Sequence, residues 1–197
     1  MSKKKVLITY ATYGSGHKTV ANYLANYLIN HSDYEVKVID LMDYENLIGL
    51  ISKKVFEQNF KFRTSSAIFS VLYELFDFKT TTLPYKAATK AIFKNKALQE
   101  EIISFNPDLL ISTHFFGNIT LGMLNRKKLT NTKIISIITD YKSHEMWEKD
   151  VKSIDALIVS NDIVKNDLIT KGIDEKKIYA YGIPISESFT SVSPEEK

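Results

Sequence analysis

Residues 5–19 of the chain, KVLITYATYGSGHKT, join an apolar run to a loop that contains two glycines. The continuous apolar residues of Lys5–Tyr10 are typical of a strand that is covered on both faces. After the loop, helical spacing of apolar residues predicts a helix over Gly16–Asn30, with a buried stripe of Val20, Leu24, Tyr27 and Leu28. A strand that passes through a short loop into a helix is the repeating unit of an α/β domain, so this stretch sets the fold class.

The same alternation of apolar runs and helical stretches continues along the chain. We expect further strands at Glu35–Asp40, Asp108–Ser112, Lys133–Thr139, Ala156–Ser160 and Lys177–Tyr181. Two more helices fit Gly117–Lys127 and Asn161–Lys171, with Asn161 as an N-cap and Gly172 just past the end. The pattern predicts an α/β fold with a Rossmann-like, doubly wound parallel sheet.

The composition of the chain is that of an ordinary globular protein. Its 197 residues suffice for one α/β domain, and 44% of them are hydrophobic and 25% charged. The chain has no cysteine, which excludes disulfides and thiolate chemistry. It has no run of about 18 apolar residues, and its first apolar run is too short for a signal peptide, so we expect a cytoplasmic protein.

A basic and aromatic insertion, about residues 45–104, interrupts the alternation between the second and third predicted strands. Within it, Ile48–Leu98 has nine basic and three acidic residues, a local charge of +6, with nine aromatic residues interleaved. This pattern suits an anionic membrane surface, and nucleic acid is the competing anionic partner. Ordinary helices with a solvated basic face remain the simplest alternative.

The glycine-rich loop lies where ligands bind in open α/β sheets, after a strand and at a helix N-terminus. The loop does not match a Walker A motif, because His17 occupies the position directly before Lys-Thr that requires a glycine. A dinucleotide fingerprint has Gly14 and Gly16 but a threonine at the third position, although Asp40 is placed to bind a ribose. In a third interpretation His17 is a reacting group, and in the simplest one it only caps the helix.

Three of the four histidines follow predicted strands: His17 the first, His114 the third and His144 the fourth. Asp140 and Trp147, the only tryptophan, flank the last of them. Because the carboxyl ends of parallel strands lie at one edge of a sheet, we expect these side chains to gather there. A histidine oriented by a carboxylate suits general-base catalysis, whereas the spacing of His114, Asp140 and His144 matches no familiar metal motif.

An ordered set of motifs over nearly the whole chain resembles one enzyme family. The set comprises Gly-Ser-Gly-His at 14–17, Ser-Thr-His at 112–114, Thr-Asp-Tyr at 139–141 with His144 and Trp147, and Tyr-Gly-Ile-Pro-Ile at 181–185. It is similar to the N-terminal domain of the diacylglycerol glucosyltransferases and monogalactosyldiacylglycerol synthases. A more distant similarity links it to the peptidoglycan lipid-intermediate N-acetylglucosaminyltransferase.

The resemblance implies one half of a GT-B fold. Residues 1–185 would be the domain that binds the lipid acceptor and touches the membrane, and residues 186–197 would begin a linker to a donor-binding domain. The implied reaction is the inverting transfer of a hexose from a UDP-sugar to diacylglycerol, with no cofactor beyond that co-substrate. We expect this chain alone to transfer no sugar, and we expect the whole enzyme to lie on the inner face of the cell membrane.

The resemblance also implies roles for individual residues. His17 would be the catalytic base with Asp140 beside it, and the loop residues Gly14, Ser15 and Gly16 would lie against the donor phosphates. The acceptor would be bound by His114, Asn118, His144 and Trp147. The basic insertion would contact the membrane through Lys53, Lys54, Lys61 and Arg63.

Two alternatives from other classes remain at this point. The runner-up is a non-catalytic Rossmann-like module that binds a nucleotide or dinucleotide through Gly14, Gly16 and Asp40. An RNA-binding domain is the third, but no stacking motif in the sequence favours it.

Overall fold

A six-stranded parallel sheet forms the centre of the computed structural model, which describes residues 3–12, 15–44, 94–141, 143, 145–148 and 150–189. The strands are β1 Lys5–Tyr10, β2 Glu35–Asp40, β3 Leu109–Ser112, β4 Lys133–Ile137, β5 Ala156–Ile158 and β6 Ile178–Tyr179. They lie in the order β2-β1-β3-β4-β5-β6, and every neighbouring pair is parallel. The predicted doubly wound parallel sheet is confirmed.

Five described helices accompany the sheet: α1 Gly16–His31, α2 Lys96–Phe105, α3 Phe115–Arg126, α4 Glu145–Glu148 and α5 Asp162–Thr170. Asn161 caps α5 as predicted, because its side chain accepts a hydrogen bond from the backbone N–H of Val164 at 3.1 Å. Gly172, just past the end of α5, has φ +85°, a conformation that glycine adopts without strain.

Alternate residues of the strands face two separate hydrophobic cores. Leu7 of β1 packs in one core with Leu110 of β3 and with the buried residues of α2, α3 and α5. Its neighbours Val6 and Ile8 pack in the other core, against α1. Because successive side chains of a strand point to opposite faces, α1 covers one face of the sheet, and α2, α3 and α5 cover the other.

The buried stripe of α1 differs from the predicted one at Tyr27, which is 50% exposed. Ala21 and Ala25 are buried and let the helix lie close to the sheet, so they mark the centre of the buried face. Tyr27 therefore lies at the flank, where its ring packs 4.6 Å from the ring of His31. Its inclusion in the core was wrong.

Several element ends also differ from those predicted. The strands β4, β5 and β6 are each shorter, and β6 begins only after a 3₁₀ turn at Glu175–Lys177 that the side chain of Asp174 caps. The helix α3 begins two residues earlier than expected because the side chain of His114 caps it. Residues 45–93, with Lys53, Lys54, Lys61 and Arg63, lie outside the described residues. The end of the insertion lies in α2, which packs on the core through Leu98 and Ile102.

Candidate active site

The candidate site lies at the carboxyl ends of β1, β3 and β4. The connection from β1 leads through α1 to β2 on one side, whereas β3 lies on the other side of β1. Such a reversal opens a crevice outside the strand ends, where ligands bind in open α/β sheets. His17 follows β1, Thr113 and His114 follow β3, and Thr139 and Asp140 follow β4.

His17, in the first turn of α1, is held by hydrogen bonds to two other segments. Its Nδ1 lies 2.6 Å from the carbonyl oxygen of Thr113 and 2.9 Å from the hydroxyl oxygen of Thr139. A carbonyl oxygen only accepts hydrogen bonds, so Nδ1 carries the hydrogen. In the neutral ring the lone pair is therefore on Nε2. These partners also contradict the interpretation that His17 only caps its own helix.

The environment of His17 favours the neutral imidazole. Burial of the ring lowers its pKa below the usual value of 6.5, and this effect outweighs the charge of Asp140 and the hydrogen bond to Thr113, which both raise it. A histidine whose pKa lies below 6.5 is mostly deprotonated at neutral pH. The ring thus has the protonation state that a general base needs.

His114 lies directly beside His17, with 5.0 Å between ring centroids and an edge-on arrangement. Its Nδ1 accepts a hydrogen bond from the backbone N–H of Phe116 at 3.4 Å, which caps α3. The ring also packs 4.1 Å from Phe115, and the whole residue is 5% exposed. The structure therefore places His114 behind His17 rather than on the open surface.

Trp147 lies beside both histidine rings and is hydrogen-bonded to Asp140. Its indole N–H donates a hydrogen bond to the carboxylate of Asp140 at 2.9 Å. The indole ring lies 6.4 Å from the ring of His17 and 6.3 Å from that of His114, and it is 1% exposed. The structure thus brings together His17, His114, Asp140 and Trp147 as the sequence predicts, and the acceptor contact of the indole stays a prediction.

A row of hydroxyl side chains lies beneath the site. Thr9, Ser112 and Ser136 are neighbours across β1, β3 and β4, and all three are fully buried. A Cβ atom on Gly117 would overlap the hydroxyls of Thr9 and Ser112, so glycine is required for α3 to approach the strands. Asn118 donates a hydrogen bond to Ser136 at 2.7 Å and is 1% exposed. Its contact with an acceptor stays a prediction.

The glycine-rich loop is described from Ser15 onwards, and Ser15 and Gly16 are exposed. The side chain of Ser15 makes no capping hydrogen bond, although Ser15 stands at the N-cap position of α1. A Cβ atom on Gly16 would meet nothing within 4 Å. Packing within the described residues therefore gives no reason for a glycine at position 16.

Asp40 has a structural role in the described residues. Its carboxylate accepts hydrogen bonds from the backbone N–H of Thr12 at 3.2 Å and of Met42 at 3.0 Å, and from the Thr12 hydroxyl. The two bonds from Thr12 join the end of β2 to the segment after β1. The ribose-binding role on which the dinucleotide alternative depends receives no support from this geometry.

Some predicted residues lie outside the described part of the chain: Gly14, His144 and the four basic residues of the insertion. Among the described residues, no group of three His, Cys, Asp or Glu side chains is arranged to hold a metal ion. The sequence reasoning missed Thr113 and Thr139 as partners of His17. Their positions, directly before His114 and Asp140, were the only available signal.

Comparison with known proteins supports this assignment of the fold and the family. The solved structure of the lipopolysaccharide outer core galactosyltransferase WaaB in its apo form aligns with 93% of this chain and 46% of its own, with a TM-score of 0.55 and 14% identity. The UDP-GlcNAc 2-epimerase from Methanocaldococcus jannaschii aligns with 91% of this chain and 45% of its own, with a TM-score of 0.54 and 14% identity. At this identity the likeness shows the fold alone: the chain has the Rossmann-like fold of about half of each of these proteins.

Proteins related in sequence identify the family more specifically than the solved structures do. The processive diacylglycerol beta-glucosyltransferase of Bacillus pumilus is 28% identical over 199 residues, which is 100% of this chain and 49% of that protein. The enzyme of the same name from Bacillus subtilis is 26% identical over 196 residues, 98% of this chain and 49% of that protein. The chain thus spans about half the length of these relatives. A family profile described as monogalactosyldiacylglycerol (MGDG) synthase matches residues 17–185. The chain therefore belongs to the monogalactosyldiacylglycerol synthase family.

Proposed function

We propose that this chain is the acceptor-side domain of an enzyme that transfers a hexose from a UDP-sugar to diacylglycerol. The observation that carries the proposal is the hydrogen bond between His17 Nδ1 and the Thr113 carbonyl, which leaves the lone pair on Nε2 at the sheet edge where ligands bind. The family of the chain and the names of its relatives supply the substrate class.

In the proposed reaction Nε2 of His17 takes the proton of the diacylglycerol hydroxyl. The deprotonated oxygen attacks the anomeric carbon of the hexose, the bond from that carbon to the UDP oxygen breaks, and UDP leaves with the electron pair. One displacement inverts the anomeric centre. The imidazolium that forms is stabilised by the charge of Asp140 and by the bond from Nδ1 to Thr113, both of which raise the pKa of His17 against the opposing effect of burial. The proton then passes to water.

The donor is proposed to approach the start of α1. Gly14, Ser15 and Gly16 would lie against the donor phosphates, because backbone N–H groups at a helix N-terminus attract anions and the space beside Gly16 is open. Because the relatives are about twice as long as this chain, we propose that a second α/β domain holds the UDP-sugar. The acceptor side would comprise His114, Asn118, His144 and Trp147.

The acceptor is a membrane lipid, so the proposal includes a membrane contact. No described helix is long and apolar enough to cross a bilayer. We propose that Lys53, Lys54, Lys61 and Arg63 bind anionic headgroups, where each basic residue contributes about 1 kcal/mol. The contact would be peripheral and sensitive to salt.

Sedimentation with lipid vesicles tests this proposal on the chain itself. The protein should sediment with vesicles of phosphatidylglycerol that contain diacylglycerol, and less so at high salt. Replacement of Lys53, Lys54, Lys61 and Arg63 by glutamine should weaken binding, whereas the same change at the exposed Lys127, Lys128, Lys152 and Lys176 should not. An equal loss of vesicle binding in both variants would contradict a specific contact through the insertion. In a separate experiment, saturable binding of NAD without lipid would favour the dinucleotide alternative.

A further inference from the structure

A single lysine at the end of α5 contacts both ends of the segment that carries Trp147. The Nζ atom of Lys171 lies 2.8 Å from the hydroxyl and 3.3 Å from the carbonyl oxygen of Ser143. It also lies 2.9 Å from a carboxylate oxygen of Glu148 and 3.0 Å from one of Asp167. Residues 143 and 148 flank Trp147, so one ammonium group holds the chain on both sides of the indole.

The contacts of Lys171 use the full hydrogen-bonding capacity of its ammonium group, which has three N–H donors. The Ser143 hydroxyl donates in turn to Asp167, and Ser143 is 2% exposed. An isolated surface ion pair stabilises a protein little, but this group combines two carboxylates with a buried hydroxyl and a main-chain carbonyl. Such a network fixes the position of a segment more firmly than one pair does.

The ammonium group keeps its charge throughout the pH range in which His17 titrates. Partial burial by itself lowers the pKa of Lys171, but the hydrogen bonds and charges of Glu148 and Asp167 outweigh it and hold the pKa above the usual 10.5. The clamp of Lys171 on Ser143 and Glu148 therefore does not loosen as His17 gains or loses its proton.

We propose that Lys171 is a positioning residue: it clamps Ser143 and Glu148 so that Trp147 keeps its hydrogen bond to Asp140 and thereby orients the carboxylate toward His17. Lys171 contacts Ser143 and Glu148 on either side of Trp147. The indole N–H of Trp147 in turn donates a hydrogen bond to Asp140 at 2.9 Å, and the charge of Asp140 acts on His17. The part that concerns catalysis rests on the proposed function, whereas the clamp itself does not.

Fluorescence of the purified chain tests the clamp without any activity assay. Trp147 is the only tryptophan, so the emission reports this residue alone. Lys171→Met should shift the emission to longer wavelength and increase quenching by acrylamide, because the indole loses its fixed, buried position. Lys171→Arg should restore most of the native emission. Lys165→Met is the matched control, since Lys165 lies on the same helix and pairs with Glu175 at 3.0 Å.

Unchanged emission in Lys171→Met, or an equal shift in Lys165→Met, would overturn the clamp. If Lys171→Met does not fold, Ser143→Ala removes one contact and should give a smaller shift in the same direction; native emission in that variant would also overturn it.

The link to His17 has its own readout. Loss of the oriented Asp140 charge should lower the pKa of His17, measured by NMR, and in the full-length enzyme kcat should fall roughly 10- to 100-fold with the KM for the UDP-sugar unchanged. A shifted emission with an unchanged His17 titration would overturn the link between the clamp and His17. A shifted emission and a lowered His17 pKa with unchanged turnover would instead contradict the proposed role of His17 as the base, whereas a full-length protein that forms no glycolipid would contradict the proposed function.

Discussion

The Nδ1 atom of His17 lies 2.6 Å from the carbonyl oxygen of Thr113, so one hydrogen bond joins the first turn of α1 to the end of β3. The two residues are 96 positions apart in sequence and meet because β1 and β3 are neighbours in the sheet. This bond decides which ring nitrogen is basic.

Replacement of His17 by alanine in the full-length enzyme should reduce kcat by about 100- to 10,000-fold, the usual contribution of positioned proton transfer. His31→Ala is the control, because His31 lies on the same helix but is exposed and pairs with Glu187. The measurement is transfer of labelled hexose from UDP-glucose to diacylglycerol, with circular dichroism to verify folding. Near-native turnover in His17→Ala would assign the base role elsewhere, with Asp140 the first candidate.

The hydroxyl of Thr139 should matter for the orientation of His17. It lies 2.9 Å from Nδ1 and shares the hydrogen that this nitrogen donates to Thr113. Thr139→Val keeps the shape but removes the acceptor, and a hydrogen bond worth about 0.5–1.5 kcal/mol corresponds to a roughly 2- to 10-fold loss of kcat/KM. Thr139→Ser should retain activity. Equal rates for the two variants would show that the hydroxyl has no part in the reaction.

Two glycines should respond differently to the same substitution. Gly117→Ala should destabilise the chain by about 1–3 kcal/mol in urea unfolding, because its Cβ would overlap the hydroxyls of Thr9 and Ser112. Gly16→Ala should leave stability unchanged or raise it by up to about 1 kcal/mol, since its Cβ meets nothing and alanine favours the helix. In the full-length enzyme Gly16→Ala should instead raise the KM for the UDP-sugar. An unchanged KM would argue against donor phosphates at this position.

The sequence predicts the location of the site residues because the carboxyl ends of all strands in a parallel sheet lie at the same edge. The sequence therefore predicts that the residues after β1, β3 and β4 lie close together. The rings of His17, His114 and Trp147 do lie next to one another. The burial of Trp147 was not foreseen, since a tryptophan in a loop gives no sign of which side faces solvent. The contact of Thr139 with His17 also depends on the path of the chain after β4, which ended two residues earlier than predicted.

Two other residues show that a local sequence pattern does not reveal tertiary partners. Asp40 stands where a ribose-binding acid stands in a dinucleotide fold, yet its carboxylate accepts hydrogen bonds from the backbone N–H groups of Thr12, just after β1, and of Met42, two residues further along the chain. Tyr27 has the helical spacing of a core residue, yet the neighbouring alanines define the buried face.

The pH dependence of the chain follows from the lowered pKa of His17. In the full-length enzyme, activity should be flat at neutral pH and should fall only below the His17 pKa, which lies under 6.5, because the protonated ring has no lone pair on Nε2. Stability should behave in parallel: below 6.5 the unfolded chain binds a proton that the folded chain resists. The contribution of His17 to the free energy of unfolding is therefore complete above pH 6.5. It is lost as the pH falls from 6.5 toward the pKa of His17 in the folded state.

The most direct test is an NMR titration of the ¹⁵N-labelled histidine rings in this chain, with His17→Ala to assign the signals. Nitrogen shifts distinguish the two neutral tautomers, and their pH dependence gives the pKa. We predict a hydrogen on Nδ1 of His17, no hydrogen on Nε2 and a titration midpoint below 6.5. A hydrogen on Nε2, or a midpoint above 6.5, would contradict the assignment of His17 as the base.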